Sequence, residues 1–539
     1  MVLCGGHAKA DCVFGDPTNM GPPINSPYSD GFVMSSDGLE LYLCSGRPPA
    51  TESAWDIWVM TRATPEDNWT ELVRLDAPIN TQYTEAVCCI SGDGLELYIE
   101  SDRPGGLGHE DIWVTRRESM QDSWGAPVNL GSVINSSAHD WPWSISDDGL
   151  ELYFISMRSG GGDIYVARRA TKGDPWQKPV NLSAVVNSSS WEGFPLILKD
   201  GLMLLFSDHQ ALTPRPGGYG GGDIWMTTRA TKHDDWNVPI NLGPKINSTA
   251  YDGGPKISPD GSTLYFLSKR PGGSGGTFGD IWQAPIIPIV DFNGDGIVDA
   301  GDMCTIVDHW GGNDSLCDIG PTPFGDGIVD VQDLIALSKH LFEEVNDPTL
   351  IAHWSLDEVQ GDIAYNSAAE NDGTLIGGPV WQPEGGIVGG ALEFDGIDDY
   401  VSTYLFFFQV DDKFSVFAWI KGGAPGQVVL SQMGNADWLG TDPSEGALMT
   451  ELTMAGRGGS SLGTQAIITD GNWHRIGFVW DGSYRRLYVD GVIVAEDVQD
   501  NLDISVNSLY FGTGKTMEPG TFFSGLIDEI RIYNRVVSP

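Results

Sequence analysis

Along the first 290 residues, apolar and polar positions follow a repeating order of short segments. An apolar run, an Asp-Gly pair and an alternating Leu-Tyr-Phe-like run recur, bounded by Gly, Pro, Asn and Asp. Runs this short, with period-two alternation and turn residues between them, predict strands. The repeat is indexed by Asn25, Asn80, Asn135, Asn187 and Asn247, spaced by 55, 55, 52 and 60 residues. An acid follows five positions after each Asn. Then come the Asp-Gly turns (Asp37-Gly38, Asp93-Gly94, Asp148-Gly149, Asp200-Gly201, Asp260-Gly261) and the alternating run. A Gly-rich loop, Asp-Ile-Trp or Asp-Ile-Tyr, and a Trp-x-x-Pro-x-Asn-Leu-Gly-like segment complete the copy. Four short strands per copy at this period predict the blades of a propeller.

The fifth copy stops after Asp280-Ile281-Trp282 and lacks its fourth strand. The segment Phe14-Gly15-Asp16-Pro17-Thr18-Asn19-Met20-Gly21 matches Trp124 to Gly131, so the missing strand is expected from the other end of the domain. Such closure removes exposed sheet edges and sets the blade number at five. The repeats, over 13–290, resemble TolB-type and WD-like propeller repeats. That resemblance implies a fold and hardly any function.

The pattern changes at 291–346. Asp291, Asn293, Asp295, Asp299 and Asp302 occupy loop positions 1, 3, 5, 9 and 12, with Gly296 at 6 and the carbonyl of Ile297 at 7. This spacing converges oxygen donors on one hard cation, so Ca2+ is expected. A second copy keeps Asp326, Asp330 and Asp333, but Thr322 and Phe324 stand at its first positions, with Asp318 close enough in sequence to reach in. Asp at position 12 resembles dockerin type I repeats. The resemblance implies a short α-helical calcium-loop linker that either docks a cohesin-like partner or acts as a calcium-stiffened spacer.

Over 350–539 alternating strands return, as in Phe414-Ser415-Val416-Phe417-Ala418-Trp419-Ile420. The order of Ala352-His353-Trp354-Ser355-Leu356-Asp357, Gly389 to Gly396, Asn472-Trp473-His474 and Gly525 to Tyr533 resembles laminin-G-like and concanavalin A-like jelly rolls. The resemblance implies a β-sandwich, a structural calcium near Asp357 and Asp528, and a role in glycan binding or as a structural appendage. The fold class expected is therefore mostly β: a five-bladed β-propeller, a dockerin-like calcium-loop linker and a jelly roll.

Charge narrows the partners. The 539 residues carry 74 Asp and Glu against 30 Lys and Arg, a formal net charge of −44. This excludes nucleic acid or an anionic membrane as the main partner and suits a secreted or cell-surface calcium-binding protein. No apolar run reaches the 18 residues of a membrane-spanning helix. Met1 to Cys12 lacks the apolar core of a full secretory signal, so a signal removed earlier is expected. Of seven cysteines, Cys304 and Cys317 are the better disulfide pair, Cys4 and Cys12 another. Cys44, Cys88 and Cys89 read as packed thiols.

Candidate chemistry lies where the loops entering the first strands meet the loops between second and third strands. The former bring Asp30, Glu85, Asp140, Glu192 and Asp252; the latter bring Arg47, Arg103, Arg158, His209 and Arg270. Tyr28, Tyr83, His139, Trp141, Trp191 and Tyr251 flank the acids. An acid repeated in every blade bonds loop amides or the recurrent Arg; alternatively, differences between blades shape a pocket. Five-bladed propellers of glycoside hydrolase families resemble this chain in blade count and acid placement. The resemblance implies a polysaccharide-cleaving site with Glu192 as general acid and Asp30 and Asp140 as base or nucleophile and tuner. Glu192 is singled out because His209 replaces the aligned Arg and Trp191 adjoins it. The remaining acids, aromatics, His209 and Arg residues would hold an oligosaccharide or polysaccharide, including anionic groups. Two alternatives stay open: a non-catalytic glycan-binding or cell-surface protein, and a polysaccharide lyase using His109, His139 or His209.

Overall fold

The computed structural model describes residues 12–537 except 29, 49–54, 66, 209–214, 274–278, 295, 313–315, 326, 342–346, 348, 370, 404–412, 454–459 and 503–506, with backbone alone at 30, 87 and 88. His209, Asp295, Asp326, Cys4 and the side chains of Asp30 and Cys88 therefore lie outside the described residues. Two compact units emerge: 12–288 with 309–336, and 289–308 with 337–537. The segment expected as one linker is thus shared. Its first loop belongs with the jelly roll and its second with the propeller.

Five antiparallel sheets form the propeller. In blade 3 the order from the first strand outward is Asp140–Ile145, Glu151–Ser156, Asp163–Arg168 and Val180–Asn181. Blades 1, 2 and 4 repeat it from Asp30–Met34, Glu85–Ile90 and Glu192–Ile197. Blade 5 holds Asp252–Ile257, Thr263–Ser268 and Asp280–Pro288, and takes its outer strand from Thr18–Asn19 and Cys12–Phe14, with Thr18 opposite Gln283 and Cys12 opposite Pro288. The index Asn explains the closure chemically. Asn25 receives Ile281 N–H on Oδ1 and donates Nδ2 to the Ile281 carbonyl, at 2.8 and 2.9 Å. Asn80, Asn135, Asn187 and Asn247 do the same to Ile57, Ile112, Ile164 and Ile224. An amide side chain thus satisfies both backbone groups of a strand residue next to the blade junction.

Spacing within the repeat also dictates strand shape. The index Asn precedes the Asp-Gly turn by 13 residues in blades 2 to 5 and by 12 in blade 1. The first strands of blades 2 to 5 shift register midway, while that of blade 1 pairs without interruption from Asp30–Ser45 to Met34–Leu41. The extra residue is the bulge. The turn glycines sit at φ 70–78°, a region that favours glycine.

On the opposite side of the blades, buried arginines staple neighbours. Arg117, Arg169 and Arg229 reach Glu40, Glu96 and Glu151 of the preceding blade at 2.6–2.9 Å. Each lies 4.3–4.5 Å from the centroid of the Trp seven residues later, Trp124, Trp176 or Trp236. Blade 5 offers Thr263 where those blades offer a Glu, and there Phe32 packs edge-on against Tyr265 at 5.7 Å.

The jelly roll is two antiparallel eight-stranded sheets. One is centred on Ser524–Tyr533, flanked by Ala391–Asp395, Leu350–Trp354 and Phe414–Gly422. The other runs from Ile363–Ala364 to Leu462–Ile467. Their inner faces bury Trp354, Phe414, Trp438, Phe478 and Phe511. Cys44 and Cys89 are packed thiols, as expected. The Cys304–Cys317 disulfide is not formed; Cys304 is an exposed thiol on the helix Ala300–Asp308.

Candidate functional site

Register places each entry acid opposite the last residue of the second strand: Glu85 faces Ser101, Asp140 Ser156, Glu192 Asp208 and Asp252 Ser268. All four carboxylates are 0% exposed. The residue four positions earlier supplies their first bonds. Thr81, Ser136 and Ser248 donate both N–H and Oγ–H to Glu85, Asp140 and Asp252 at 2.5–2.9 Å, and Ser188 Oγ donates to Glu192. A guanidinium completes each: Arg103 to Glu85 at 3.2 Å, Arg158 to Asp140 at 2.6 Å, Arg215 to Glu192 at 3.2 Å, Arg270 to Asp252 at 2.8 Å. The same guanidiniums also bond a carbonyl beside the index Asn, that of Ile79, Ile134, Val186 or Ile246. Arg47 does so to Ile24 at 3.1 Å.

This geometry corrects several expectations. Asp140 and Glu192 present no surface to a substrate, and neither do Glu85 and Asp252. Their charge is spent inside the blade joint, where a buried carboxylate requires partners. Arg47, Arg103, Arg158 and Arg270 are committed to carbonyls and acids rather than to an anionic sugar. Glu192 does have a guanidinium: Arg215 takes the station. Burial pushes the Glu192 and Glu85 carboxyls up against the lowering bonds of Ser188 and Thr81. Blade 4 still differs. Glu192 Oε2 is buried without a hydrogen bond, and Asp208 stands where other blades have Ser. Asp208 accepts Asp223 N–H at 2.6 Å and Arg215 N–H at 3.0 Å, and burial raises Asp223.

The flanking aromatics separate into two sets. Tyr251 is 2% exposed, within a core cluster with Phe32 and Leu267, so its expected substrate contact is also corrected. Tyr28 is exposed and Tyr83 half-buried. His139, Trp141 and Trp191 come together with a fourth ring, His109, which the sequence offered only as a candidate for the lyase alternative. His109 and His139 stack with centroids 4.7 Å apart and planes at 11°. His139 to Trp141 is 5.3 Å, and Trp141 to Trp191 is 6.4 Å. Glu110 bonds His139 Nδ1 and fixes its ring. His109 is exposed and the other three rings are partly so. Gly108-His109-Glu110 occurs in one loop only, so the five-fold repeat gave no reason to place His109 against His139.

The described members of the expected calcium set form oxygen-lined turns. Asp302 Oδ1 accepts Phe292 and Asn293 N–H at 2.7 and 3.3 Å, and Oδ2 accepts Asp299 N–H. Asp291 accepts Gly294 and Gly296 N–H. The second loop repeats this with Asp318 in first place: its Oδ2 accepts Gly327 N–H at 2.7 Å, and Asp333 accepts Ile319 and Gly320 N–H at 2.7 Å. Neither Thr322 nor Phe324 takes that role; Phe324 is buried in a core cluster with Leu205 and Phe266. Donor chemistry fits a hard cation in both loops. In the jelly roll, Asp528 is 0% exposed, and its Oδ2 accepts Ile387 and Val388 N–H at 2.7 and 3.2 Å. Its Oδ1 is buried with no hydrogen bond, and burial, with Glu529 and Asp357 nearby, pushes the carboxyl up to about 7. An orphaned oxygen of this kind fits a cation shared with Asp357. A further carboxylate group, Asp395, Asp398 and Asp399, lies close together near the surface.

Residues 395–539 match the model of the Concanavalin A-like lectin/glucanases superfamily. Among curated proteins, none matches the sequence. Among solved structures, the Trypanosoma rangeli sialidase in complex with the inhibitor DANA is similar at 12% identity and a TM-score of 0.44, over 95% of this chain and 92% of that one. Domain 4 of AbnA, a GH43 extracellular arabinanase from Geobacillus stearothermophilus, in complex with arabinotriose, is similar at 20% identity and a TM-score of 0.26, over 35% of this chain and 95% of that one.

Proposed function

We propose that this chain is a secreted or cell-surface glycan-binding protein whose propeller is not itself a hydrolase, with calcium ions as structural ligands. One observation carries this reading over hydrolysis: all four described entry carboxylates are buried and already bonded. An inverting or retaining hydrolase needs two carboxyls open to a sugar. The match of 395–539 to a lectin and glucanase superfamily supports a glycan as partner. Calcium would be held by Asp291, Asn293, Asp295, Asp299, Asp302 and the Ile297 carbonyl, by Asp318, Asp326, Asp330 and Asp333, and by Asp357 with Asp528. There it would neutralise converging carboxylates and fix their loops.

The calcium loops act as braces rather than as a docking module for a cohesin-like partner. Main-chain carbonyls of the first loop are taken within its own unit: Arg475 reaches those of Asn293 and Gly294, Tyr533 that of Gly294, and Arg535 that of Asp291, at 2.6–3.1 Å. Hydrolysis remains the second reading because of Glu192 alone, with its raised carboxyl and unbonded Oε2. A reducing-sugar screen over a panel of polysaccharides, run beside affinity electrophoresis in the same polymers, tests both. Retardation without sugar release is expected. Release that Glu192→Gln abolishes would replace this reading with the hydrolase.

A further inference from the structure

We propose that the rings of His109, His139, Trp141 and Trp191 form the propeller's binding platform for an uncharged oligosaccharide. The inference rests on the glycan-binding reading and gives it a place and a ligand class.

Four observations carry it. The rings form one continuous series from blade 2 to blade 4, each within 6.4 Å of the next. They remain open to solvent in part, whereas Tyr251, at the equivalent position of blade 5, is buried. The series is built by backbone as well as by side chains. A methyl group on Gly108 would overlap the carbonyls of Ser136 and Ala138, so only glycine lets the His109 loop lie on the His139 loop. A methyl group on Gly162 would overlap the Trp191 indole. Finally, an anion, Glu110, is bonded to His139 of the series, while Arg103, Arg158 and Arg215 of the same blades are consumed by carbonyls and carboxylates.

Partly exposed aromatic faces with a few fixed polar groups suit a flat ligand that has apolar C–H faces and hydroxyl edges. The carboxylate and the net charge of −44 disfavour an anionic one. Those two conditions together favour neutral hexose or pentose chains over sulfated, uronic or sialic ones.

The test is affinity electrophoresis of the full chain in gels containing arabinan, xylan, galactomannan or mixed-linkage glucan, with polygalacturonate and chondroitin sulfate as anionic arms. Retardation by at least one neutral polymer is expected, with His109→Ala and Trp141→Ala each weakening it about tenfold or more at an unchanged melting profile. Gly162→Val, which displaces Trp191 without removing it, should weaken it as well. If Trp141→Ala misfolds, His109→Ala at its exposed edge decides. Wild-type binding that all three variants preserve overturns the platform and leaves the glycan-binding reading standing. Binding to the anionic polymers alone overturns the ligand class. A wild-type chain that no polymer retards overturns the glycan-binding reading itself.

Discussion

Asp140 in the propeller and Asp528 in the jelly roll are both 0% exposed, yet they are buried in opposite ways. Asp140 accepts from Ser136 twice, from Ser156 Oγ at 2.5 Å and from Arg158 at 2.6 Å. Asp528 has two backbone donors on one oxygen and none on the other, with Glu529 and Asp357 adding like charge. The first carboxylate comes with its counter-charge encoded in the same repeat. Among the described residues the second has no cation bonded to it, and burial pushes its carboxyl up to about 7. A buried charge is architecture when its partners are present and a demand for a ligand when they are not.

Breaking the first member should have the largest effect. Arg158→Met removes the guanidinium but keeps an apolar stem over Phe154 and Tyr165, the rings it now covers at 5.4 and 5.1 Å. An uncompensated buried carboxylate costs about 3–5 kcal/mol. Calorimetry should show the propeller transition falling by roughly 10 °C, given about 2–4 °C per kcal/mol for a domain of this size. The double variant Arg158→Met with Asp140→Asn should recover most of the loss. An unchanged transition in the single variant would show that the pair is not what satisfies Asp140.

The second member can be sharpened by pH and calcium together. Asp528 titrates higher in the folded chain, at about 7, than its ordinary 3.8. The folded state therefore holds the proton more tightly. The resulting stability is fully present below about pH 4 and lost as pH rises through about 7. In chelator, the jelly-roll transition should weaken by about 2–4 kcal/mol over that window. Calcium should abolish the loss by taking the proton's place, and Asp528→Asn should abolish both the pH dependence and the calcium response. A pH-independent jelly roll in chelator would mean that Asp528 stays ionised without a cation.

How much of this was legible beforehand varied with the range of the interaction. The ring closure was readable because Thr18-Asn19 repeats Val128-Asn129. The bulges were encoded in the 13-residue and 12-residue spacings. The entry acids were located correctly, but their meaning was not, because their partners lie at three separate sequence distances. Ser136 is four residues before Asp140, while Ser156 and Arg158 are 16 and 18 after it. Only strand register brings the three together. Asp318 was legible as a residue able to reach into the second loop, whereas the longer blade-4 loop left open whether Arg215 would take the guanidinium station. The platform's His109 comes from a loop that no other blade reproduces. The orphaned oxygen of Asp528 depends on three-dimensional neighbours that no spacing reports.

The calcium loops test whether each buried acid braces its own unit. Asp302 holds three backbone amides, so Asp302→Ala leaves buried donors unpaired at about 1–3 kcal/mol. The loss should fall on the jelly-roll transition. Asp333→Ala, the corresponding change in the second loop, should fall on the propeller transition. Chelator should reproduce each shift in the wild type and add little in the matching variant. Shifts confined to a third, separate transition would restore an independent linker.

The smallest effect belongs to pairs that are not buried at all. Lys172 meets Asp93 at 2.6 Å, with the two side chains 43% and 38% exposed. Burial would raise Asp93, but Lys172, Ser91 Oγ–H and Leu95 N–H outweigh it and hold the carboxyl at about 2. A depressed carboxylate contributes stability above its unfolded value and loses it as pH falls through the folded one, here from about 4 to about 2. Solvent screens most of that contribution, so Lys172→Ala should cost about 0.5 kcal/mol or less at neutral pH, and less again in high salt. Lys232→Ala, which frees Asp148 from an equivalent pair at 2.8 Å, should behave alike. If either variant cost as much as Arg158→Met, burial would not be what separates the repeat's structural charges from its solvated ones, and the contrast between Asp140 and Asp528 would lose its physical basis.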